Sequence, residues 1–178
     1  MAPLVLLRLW RRGRKEPGYR RDIGERFGGY AGPALRDSIW VHAVSVGETR
    51  AAQPIIERLL TRYPGRTIVL THMTPTGREA GRQLYAERVL RCYLPYDFPS
   101  AVQRFLRHFN PTLGLVMETE IWPNLVHACR DSNIPLYLVN ARLSEKSYRG
   151  YARLGRLAER TLNALTGVAA QSESDAER

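Results

Sequence analysis

The sequence is poor in cysteine, has no long apolar run and carries fewer acidic than basic residues. Its two cysteines, Cys92 and Cys129, have no second cysteine or closely spaced histidine beside them, which excludes a zinc-ligand pattern and favours reduced, buried thiols in a cytosolic setting. The apolar stretch near the start, residues 3–10, is interrupted by Arg8 and falls far short of the roughly 20 residues that cross a bilayer. Walker A and G-x-G-x-x-G sequences are also absent, which argues against a P-loop or a dinucleotide-binding fingerprint.

The charge of the chain points to anionic partners. The 178 residues include 27 Lys and Arg but only 17 Asp and Glu, so the formal net charge is +10. Phosphate groups, acidic lipid headgroups and nucleic acid all fit this sign. No nucleic-acid fold signature is present and aromatic residues are not interleaved with cations along one face, so we do not expect a nucleic-acid binder.

The first residues join apolar to basic side chains. Leu4 to Leu7, Leu9 and Trp10 are followed at once by Arg11, Arg12, Arg14 and Lys15, with Arg20 and Arg21 beyond. Such a join is typical of the cytoplasmic edge of a membrane anchor. We therefore expect residues 1–16 to be the membrane-proximal basic stub of a shortened anchor, with Arg8 to Arg21 facing acidic lipids. The alternative is an amphipathic helix with solvated arginines.

From residue 38 onward the pattern predicts an α/β fold, with short runs of β-branched and aliphatic residues alternating with longer helical patterns. The runs are nearly continuous in apolar character, as in strands that helices cover on both faces. We predict a doubly wound, Rossmann-like parallel sheet flanked by helices in one lobe, residues 17–178. The predicted strands are Ile39–Val46, Thr67–Met73, Val89–Leu94, Thr112–Met117, Pro135–Val139 and Gly167–Ala170.

Helical periodicity and proline positions place the intervening helices. Tyr19, Ile23 and Phe27 predict a further short helix, stopped by Gly28. The chain ends inside what resembles a new helix, so we expect a truncated product. The longer predicted helices are Thr49–Arg62, Gly77–Ala86, Pro99–Phe109, Pro123–Asp131 and Ser144–Leu165.

Polar residues follow five of the strands, where the loops of a parallel sheet lead into helix N-termini and ligands bind. We expect these loops to converge on one site. They are Ser45–Glu48, Thr74–Arg78, Glu118–Asn124, Asn140–Ser144 and Gln171–Glu173.

Two of these loops carry candidate carboxylates. We expect Gly47 to let the backbone turn tightly, and Glu48 to act as a general base that a helix dipole keeps ionised while weakening its basicity. A helix cap is the alternative role for Glu48. Of Glu118 and Glu120, one points into the crevice and the other orients a loop, unless both form structural ion pairs with Arg50, Arg78 or Arg142.

Other residues complete the predicted site or lie outside it. Thr74, Thr76, Gly77 and Arg78 offer hydroxyls, a flexible backbone and a cation for an anionic group. We expect Trp122 to anchor its loop by packing. His42 and His72 are expected to lie in the core, and His108 and His127 to occupy ordinary helix positions.

Taken together, the motifs resemble the bacterial 3-deoxy-D-manno-octulosonic acid (Kdo) transferase family in order and spacing, over nearly the whole chain. The resemblance implies the amino-terminal lobe of a two-lobed GT-B glycosyltransferase of lipopolysaccharide biosynthesis at the cytoplasmic face of the inner membrane. It further implies CMP-Kdo as donor, a lipid A precursor as acceptor, and neither metal nor cofactor. The motifs are His42–Glu48, Thr74–Gly77, Tyr93–Asp97, Met117–Asn124 and Asn140–Ser144, with Arg14-Lys15 and Gly24–Arg26 near the start.

The resemblance also assigns roles to residues. Glu48 is the expected base that takes the proton of the attacking acceptor hydroxyl, Glu118 is a second catalytic carboxylate, and the displacement inverts the anomeric centre. The expected acceptor-binding residues are Ser45, Gly47, Thr74, Thr76, Arg78, Glu120, Asn140 and Arg142.

Two departures from the family pattern bear on activity. The amino-terminal anchor is reduced to a stub, and the carboxyl-terminal donor lobe is absent from residues 1–178. We therefore expect the chain alone to be catalytically inactive, peripheral at the membrane and dependent on a donor lobe. The rival hypothesis is a non-catalytic module that binds anionic lipids.

Overall fold

The fold is built on one parallel sheet of six strands. The computed structural model describes residues 9–14 and 16–177. The strand order is β3-β2-β1-β4-β5-β6, with every neighbouring pair parallel. All six predicted strands are confirmed, although β1 ends at His42 and the predicted extension to Val46 was wrong. The strands are β1 Ser38–His42, β2 Ile68–His72, β3 Leu90–Tyr93, β4 Pro111–Met117, β5 Leu136–Ala141 and β6 Gly167–Ala170.

Helices connect the strands and cover both faces of the sheet. Four of them, α3 to α6, begin with proline in the first turn, where its missing N–H costs nothing. The helices are α1 at residues 9–14, α2 Val46–Ala51, α3 Gln53–Arg62, α4 Pro75–Tyr85, α5 Pro99–Phe109, α6 Pro123–Asp131, α7 Glu145–Ala152, α8 Arg156–Leu162 and α9 Glu173–Glu177.

Two predicted helices are each divided in the structure. The helix predicted over Thr49–Arg62 is divided at Ala52, because Pro54 has no N–H to donate to the preceding turn. The helix predicted over Ser144–Leu165 is interrupted at Gly155, where φ is 48°. A positive φ is incompatible with a continuing right-handed helix.

The predicted helix around Tyr19 and Phe27 was wrong. The segment instead forms two short 3₁₀ turns, Pro17–Arg20 and Glu25–Phe27, with Asp22 at φ 50° between them. The predicted glycine stop is confirmed, since Gly28 ends the second turn at φ 80°.

The core lies on both faces of the sheet. In β1, Ile39 and Val41 contribute to the cluster formed with α3 and the C-terminal end of α4. Trp40 points to the opposite face, where it packs with buried residues of α5 and α6. Because both faces are covered, the strands read as continuous apolar runs. The predicted Rossmann-like layer architecture is confirmed.

The amino-terminal segment packs against this lobe through its described residues. Leu9 is buried, whereas Arg11, Arg12 and Arg14 are exposed. Leu4 to Leu7, Arg8 and Lys15, which carried much of the predicted membrane-proximal stub, lie outside the described residues. In the part of the chain that is described, every helix is too short or too polar to cross a bilayer.

Candidate active site

The topology brings Glu48 and Glu118 to the same edge of the sheet. The strand order runs outward in opposite directions from the adjacent pair β1 and β4. Such a switch point opens a crevice at the carboxyl ends of the strands, where α/β proteins bind ligands. Glu118 directly follows β4, and Glu48 lies in the first turn of α2, which follows β1.

Glu48 is held in place by the loop that precedes its helix. Its Oε2 accepts the backbone N–H of Val44 at 2.8 Å, and its Oε1 accepts the Ser45 hydroxyl at 3.0 Å. The same hydroxyl caps α2 by accepting the Glu48 N–H at 3.5 Å. Glu48 therefore also has the alternative role of a helix cap, in an arrangement close to a capping box. A carboxylate has about four acceptor positions, so these two bonds leave room for a substrate hydroxyl.

Burial changes the acidity of Glu48. The side chain is 7% exposed, and loss of solvation raises the pKa of its carboxyl, with the charges of Glu118 and Glu120 raising it further. The hydrogen bonds from Val44 and Ser45 oppose this shift without cancelling it. The pKa of Glu48 is therefore shifted in the opposite direction from the one predicted from the helix dipole, and desolvation is the largest cause.

Glu118 has a strained backbone. Its φ is 58°, and its N–H donates to the carbonyl of Val139 in the adjacent strand at 3.0 Å. Asn140, one residue beyond Val139, also has a positive φ, of 52°. A left-handed conformation costs of the order of 1–3 kcal/mol for a residue such as glutamate, and such strain concentrates at functional sites. The two residues lie at the carboxyl ends of β4 and β5 beside the switch point.

Glu120 also lies near Glu48, as its effect on the pKa of Glu48 indicates. Its carboxylate accepts the indole N–H of Trp122 at 3.0 Å, and burial, followed by the charge of Glu118, raises the pKa of the Glu120 carboxyl. Trp122 packs against the core, as predicted for a loop anchor. Among the described residues, no arginine forms an ion pair with Glu118 or Glu120. The alternative that Arg50, Arg78 or Arg142 pairs with these carboxylates is therefore not observed there.

Thr74 and Gly77 bring helix α4 against the Glu48 loop. The Thr74 hydroxyl accepts the N–H of Gly77 at 3.0 Å and donates to the carbonyl of Val44 at 3.0 Å. A Cβ atom at Gly77 would meet that carbonyl oxygen at 2.8 Å. The missing side chain of Gly77 thus permits the close contact that positions Val44, whose N–H holds Glu48.

Gly47 has a different role from the predicted one. It lies in the first turn of α2, is exposed, and has no positive φ. The expectation of a tight turn at Gly47 was therefore wrong, since its backbone is ordinary helix. Its exposed position leaves the backbone at the start of α2 open to solvent.

Two of the predicted acceptor-binding residues line a depression that does not include Glu48. Thr76 and Arg78 line a separate depression of about 700 Å³, where Arg78 pairs with Asp22 at 2.6 Å and with Glu25 at 3.3 Å. Arg142 is exposed after the end of β5. Ser45, Thr74, Glu118 and Glu120 are the predicted residues whose contacts or charges reach the Glu48 loop.

Arg26 is a buried residue beside the candidate site to which the sequence analysis assigned no role. It is 1% exposed and lines a cavity of about 340 Å³ together with Thr74, Glu120 and Trp122. The Gly24–Arg26 sequence lies at a short 3₁₀ turn, and the sequence analysis named it only as part of a family motif. The larger depression of about 780 Å³, between α5 and α6, lies away from the candidate carboxylates.

Comparison with known proteins identifies the family of this chain. Residues 21–178 match the family described as 3-Deoxy-D-manno-octulosonic-acid transferase (kdotransferase). The chain belongs to the Kdo transferase family. A Kdo transferase of Bordetella pertussis is 44% identical over 187 aligned positions, which cover 100% of this chain and 43% of the relative. A Kdo transferase of Haemophilus influenzae is 36% identical, covering 99% of this chain and 42% of the relative.

The similarity extends beyond bacteria. A probable mitochondrial Kdo transferase of Arabidopsis thaliana is 38% identical over 154 residues, covering 85% of this chain and 34% of the relative. The chain thus spans less than half the length of these curated relatives, and it corresponds to the amino-terminal domain of the Kdo transferase family with the Rossmann-like lobe of a GT-B glycosyltransferase. Within the described ranges, no group of three or more His, Cys, Asp or Glu side chains is arranged to hold a metal ion.

Proposed function

We propose that this chain is the acceptor-binding lobe of an enzyme that transfers Kdo from CMP-Kdo to a lipid A precursor in lipopolysaccharide biosynthesis. The observation that carries the proposal is the buried Glu48 beside Glu118 at the switch point between β1 and β4. Membership of the Kdo transferase family supplies the class of reaction.

In this proposal Glu48 is the general base. A base must accept a proton from the attacking hydroxyl while the new bond forms, and a raised pKa makes a carboxylate better suited to that task. Burial raises the pKa of Glu48, while the bonds from Val44 and Ser45 fix the direction of its oxygens. The acceptor oxygen bonds to the anomeric carbon of Kdo, its proton passes to Glu48, and CMP leaves with the bonding electron pair.

Glu118 and Glu120 surround the acceptor in the same proposal. Their charges already act on Glu48, which favours uptake of the proton that the acceptor releases. The N–H bond from Glu118 to Val139 fixes the backbone of Glu118 relative to β5. Glu118 is the second catalytic carboxylate, and Glu120 binds the acceptor from its place beside Trp122.

The donor and the membrane complete the proposal. CMP-Kdo binds mainly to a second lobe, in keeping with the 43% coverage of the Bordetella relative; residues 1–178 alone are then inactive. Acidic lipids of the inner membrane bind the exposed arginines of α1, where Arg14 lies 4.2 Å from the ring of Trp10. Flotation with anionic but not neutral vesicles, lost at high salt, tests this part.

A complementation assay tests the catalytic proposal. The chain is combined with the carboxyl-terminal part of the Bordetella relative, and transfer from CMP-Kdo to a lipid A precursor is measured. We expect no turnover by the chain alone, turnover by the combination, and a loss of about 10²–10⁴-fold in kcat for Glu48→Gln. The matched control is Glu87→Gln, at a side chain that is 95% exposed, and it retains activity.

The same assay separates the two hypotheses for the chain. Turnover that survives Glu48→Gln contradicts the assigned base. Binding of anionic lipid without turnover, in a combination whose donor part binds CMP-Kdo, favours the rival, a non-catalytic module that binds anionic lipids.

A further inference from the structure

His72 is a buried histidine that donates one hydrogen bond to the backbone. It is the last residue of β2, its side chain is fully buried, and its Nδ1 lies 2.9 Å from the carbonyl oxygen of Ala43. A carbonyl oxygen only accepts hydrogen bonds, so Nδ1 carries the proton of the neutral ring and donates it. Burial lowers the pKa of His72 to about 4, so the ring is neutral near pH 7.

The other nitrogen of the His72 ring has no partner among the described residues. Nε2 is buried and lacks a hydrogen bond there. The ring packs against α4, where a Cβ atom at Gly81 would meet Nε2 at 2.9 Å. A buried acceptor without a partner costs stability, whereas an apolar side chain of similar size leaves no such group. Filling space therefore does not account for a histidine at this position, and the bond from Nδ1 is what distinguishes it from an apolar residue.

The bond from His72 reaches Glu48 through a single peptide group. The carbonyl of Ala43 and the N–H of Val44 belong to the same planar unit. The carbonyl accepts the bond from Nδ1 of His72, and the N–H donates to Oε2 of Glu48 at 2.8 Å. Because the unit is planar, fixing the direction of the carbonyl also fixes the direction of the N–H. Linked hydrogen bonds polarise one another, so the bond to Glu48 is stronger while the carbonyl is bonded.

The same nitrogen also lies beside the helix that carries Glu48. Oγ1 of Thr49, the next residue in α2, is 3.5 Å from Nδ1 of His72. On the strand side, the N–H of Ala43 donates to the carbonyl of Thr71 at 3.0 Å. Strand β2 therefore holds the start of the Glu48 loop through its backbone and through the His72 ring.

We propose that His72 is a positioning residue for the candidate base, because through the Ala43–Val44 peptide group it directs the hydrogen bond that holds Oε2 of Glu48. His72 acts on Glu48 only through the backbone and touches no reacting atom. Its importance for catalysis rests on the proposed function, in which Glu48 accepts the proton of the acceptor hydroxyl. The coupling between the two side chains does not depend on that function.

Carboxyl ¹³C NMR of the 178-residue chain tests the coupling without any turnover. The bond from Val44 lowers the pKa of Glu48, so weakening it in His72→Leu should raise that pKa by about half a unit or more. His72→Asn should keep the wild-type value, because its amide N–H replaces the Nδ1 donor. Both variants lack the ionisable ring and keep Glu118 and Glu120, whose charges also act on Glu48. An equal rise in both variants assigns the effect to the lost ring charge and contradicts the proposal, as does an unchanged pKa in His72→Leu.

The complementation assay tests the effect on catalysis. We expect His72→Leu to lower kcat about tenfold with little change in the KM for the acceptor, and His72→Asn to restore most of the loss. The loss would accompany a higher pKa of Glu48, so weaker basicity would not explain it. The matched control is His127→Leu, which removes a histidine of α6 that also has a buried nitrogen without a partner among the described residues. It should leave the pKa of Glu48 unchanged and kcat within about twofold, and a loss equal to that of His72→Leu contradicts the proposal.

The wild-type chain supplies a test that does not require the variants to fold. Imidazole ¹⁵N NMR should show the proton of His72 on Nδ1, and a proton on Nε2 instead overturns the proposal, because Nδ1 could not then donate. Turnover that survives Glu48→Gln, while the pKa of Glu48 still responds to His72→Leu, refutes the proposed function and leaves the coupling intact. If Glu48→Gln abolishes turnover but His72→Leu changes neither the pKa of Glu48 nor kcat, only the role of His72 is refuted.

Discussion

Replacing Gly77 by alanine should displace the loop that holds Glu48. A Cβ atom at position 77 would lie 2.8 Å from the carbonyl oxygen of Val44 and 2.9 Å from the hydroxyl of Thr74. Both distances are shorter than real contacts of a Cβ atom, and the first involves the backbone, so α4 or the loop must move. Either movement strains the bonds from the Thr74 hydroxyl to Val44 and from the Gly77 N–H to Thr74.

The magnitude follows from three contributions. Overpacking costs about 1–3 kcal/mol, and the weakened Thr74 cap costs about 1 kcal/mol. Alanine returns about 0.5–1 kcal/mol relative to glycine in a helix. The free energy of unfolding of Gly77→Ala should therefore be roughly 1–3 kcal/mol lower, which for a chain of this length lowers Tm by roughly 3–10 °C.

Gly47→Ala is the matched control, because it makes the same change in helix α2 on the other side of the contact. The nearest atom to a Cβ at Gly47 is 3.9 Å away, so only the helix preference remains and we expect a gain of about 0.5 kcal/mol. Thermal unfolding followed by circular dichroism measures both variants. The reasoning is refuted if Gly77→Ala is as stable as the wild type, or if the two variants change stability by the same amount.

Three other outcomes are open to measurement. Burial raises the pKa of Glu48 above 4.5, so the folded state binds the proton more tightly than the unfolded state does. The wild type should therefore lose stability relative to Glu48→Gln as pH rises from 4.5 to 7.5. Urea unfolding measures this difference in stability, and a difference that does not vary with pH contradicts the prediction. Burial lowers the pKa of His42 to about 3 and of His72 to about 4. Each histidine should therefore lower the free energy of unfolding by about 2 kcal/mol between pH 6.5 and pH 5, because the unfolded chain takes up protons there. Imidazole NMR should show both rings neutral at pH 5.5, and titration of either ring near pH 6 would contradict this prediction. Arg78→Gln should lower the free energy of unfolding by roughly 1 kcal/mol, because its pairs with Asp22 and Glu25 are partly exposed; a loss that is the same in 1 M salt argues against ion pairing.

The sequence predicted the strands well because their signal is local and strong. Buried strands such as Ile68–His72 begin with runs of β-branched and aliphatic residues, and prolines mark the starts of helices such as Pro123–Asp131. The segment around Tyr19 misled the analysis, since apolar residues spaced four apart also fit two 3₁₀ turns separated by a residue with positive φ. The spacing of apolar residues alone does not indicate where the backbone changes direction.

The candidate site was only partly predictable. Glu48 and Glu118 lie close together because β1 and β4 are neighbours in the sheet. The βαβ pattern predicts that both lie at the carboxyl ends of the strands, but it does not predict which strands are neighbours. The raised pKa of Glu48 depends on burial and on charges more than 60 positions away in sequence, so the local dipole argument reached the opposite sign. Arg78 was predicted to belong to the site because it lies in one of the loops that follow the strands. Its side chain instead pairs with Asp22.

The double use of the Ser45 hydroxyl links the protonation of Glu48 to the geometry of the helix start. While Glu48 is ionised, both of its oxygens receive protons in hydrogen bonds, one from Ser45 and one from Val44. Once Glu48 has taken up a proton at a free position, its oxygens carry less negative charge and accept the bonds from Ser45 and Val44 more weakly. The loop therefore favours return of the carboxyl to its ionised form, as a general base in the proposed reaction requires.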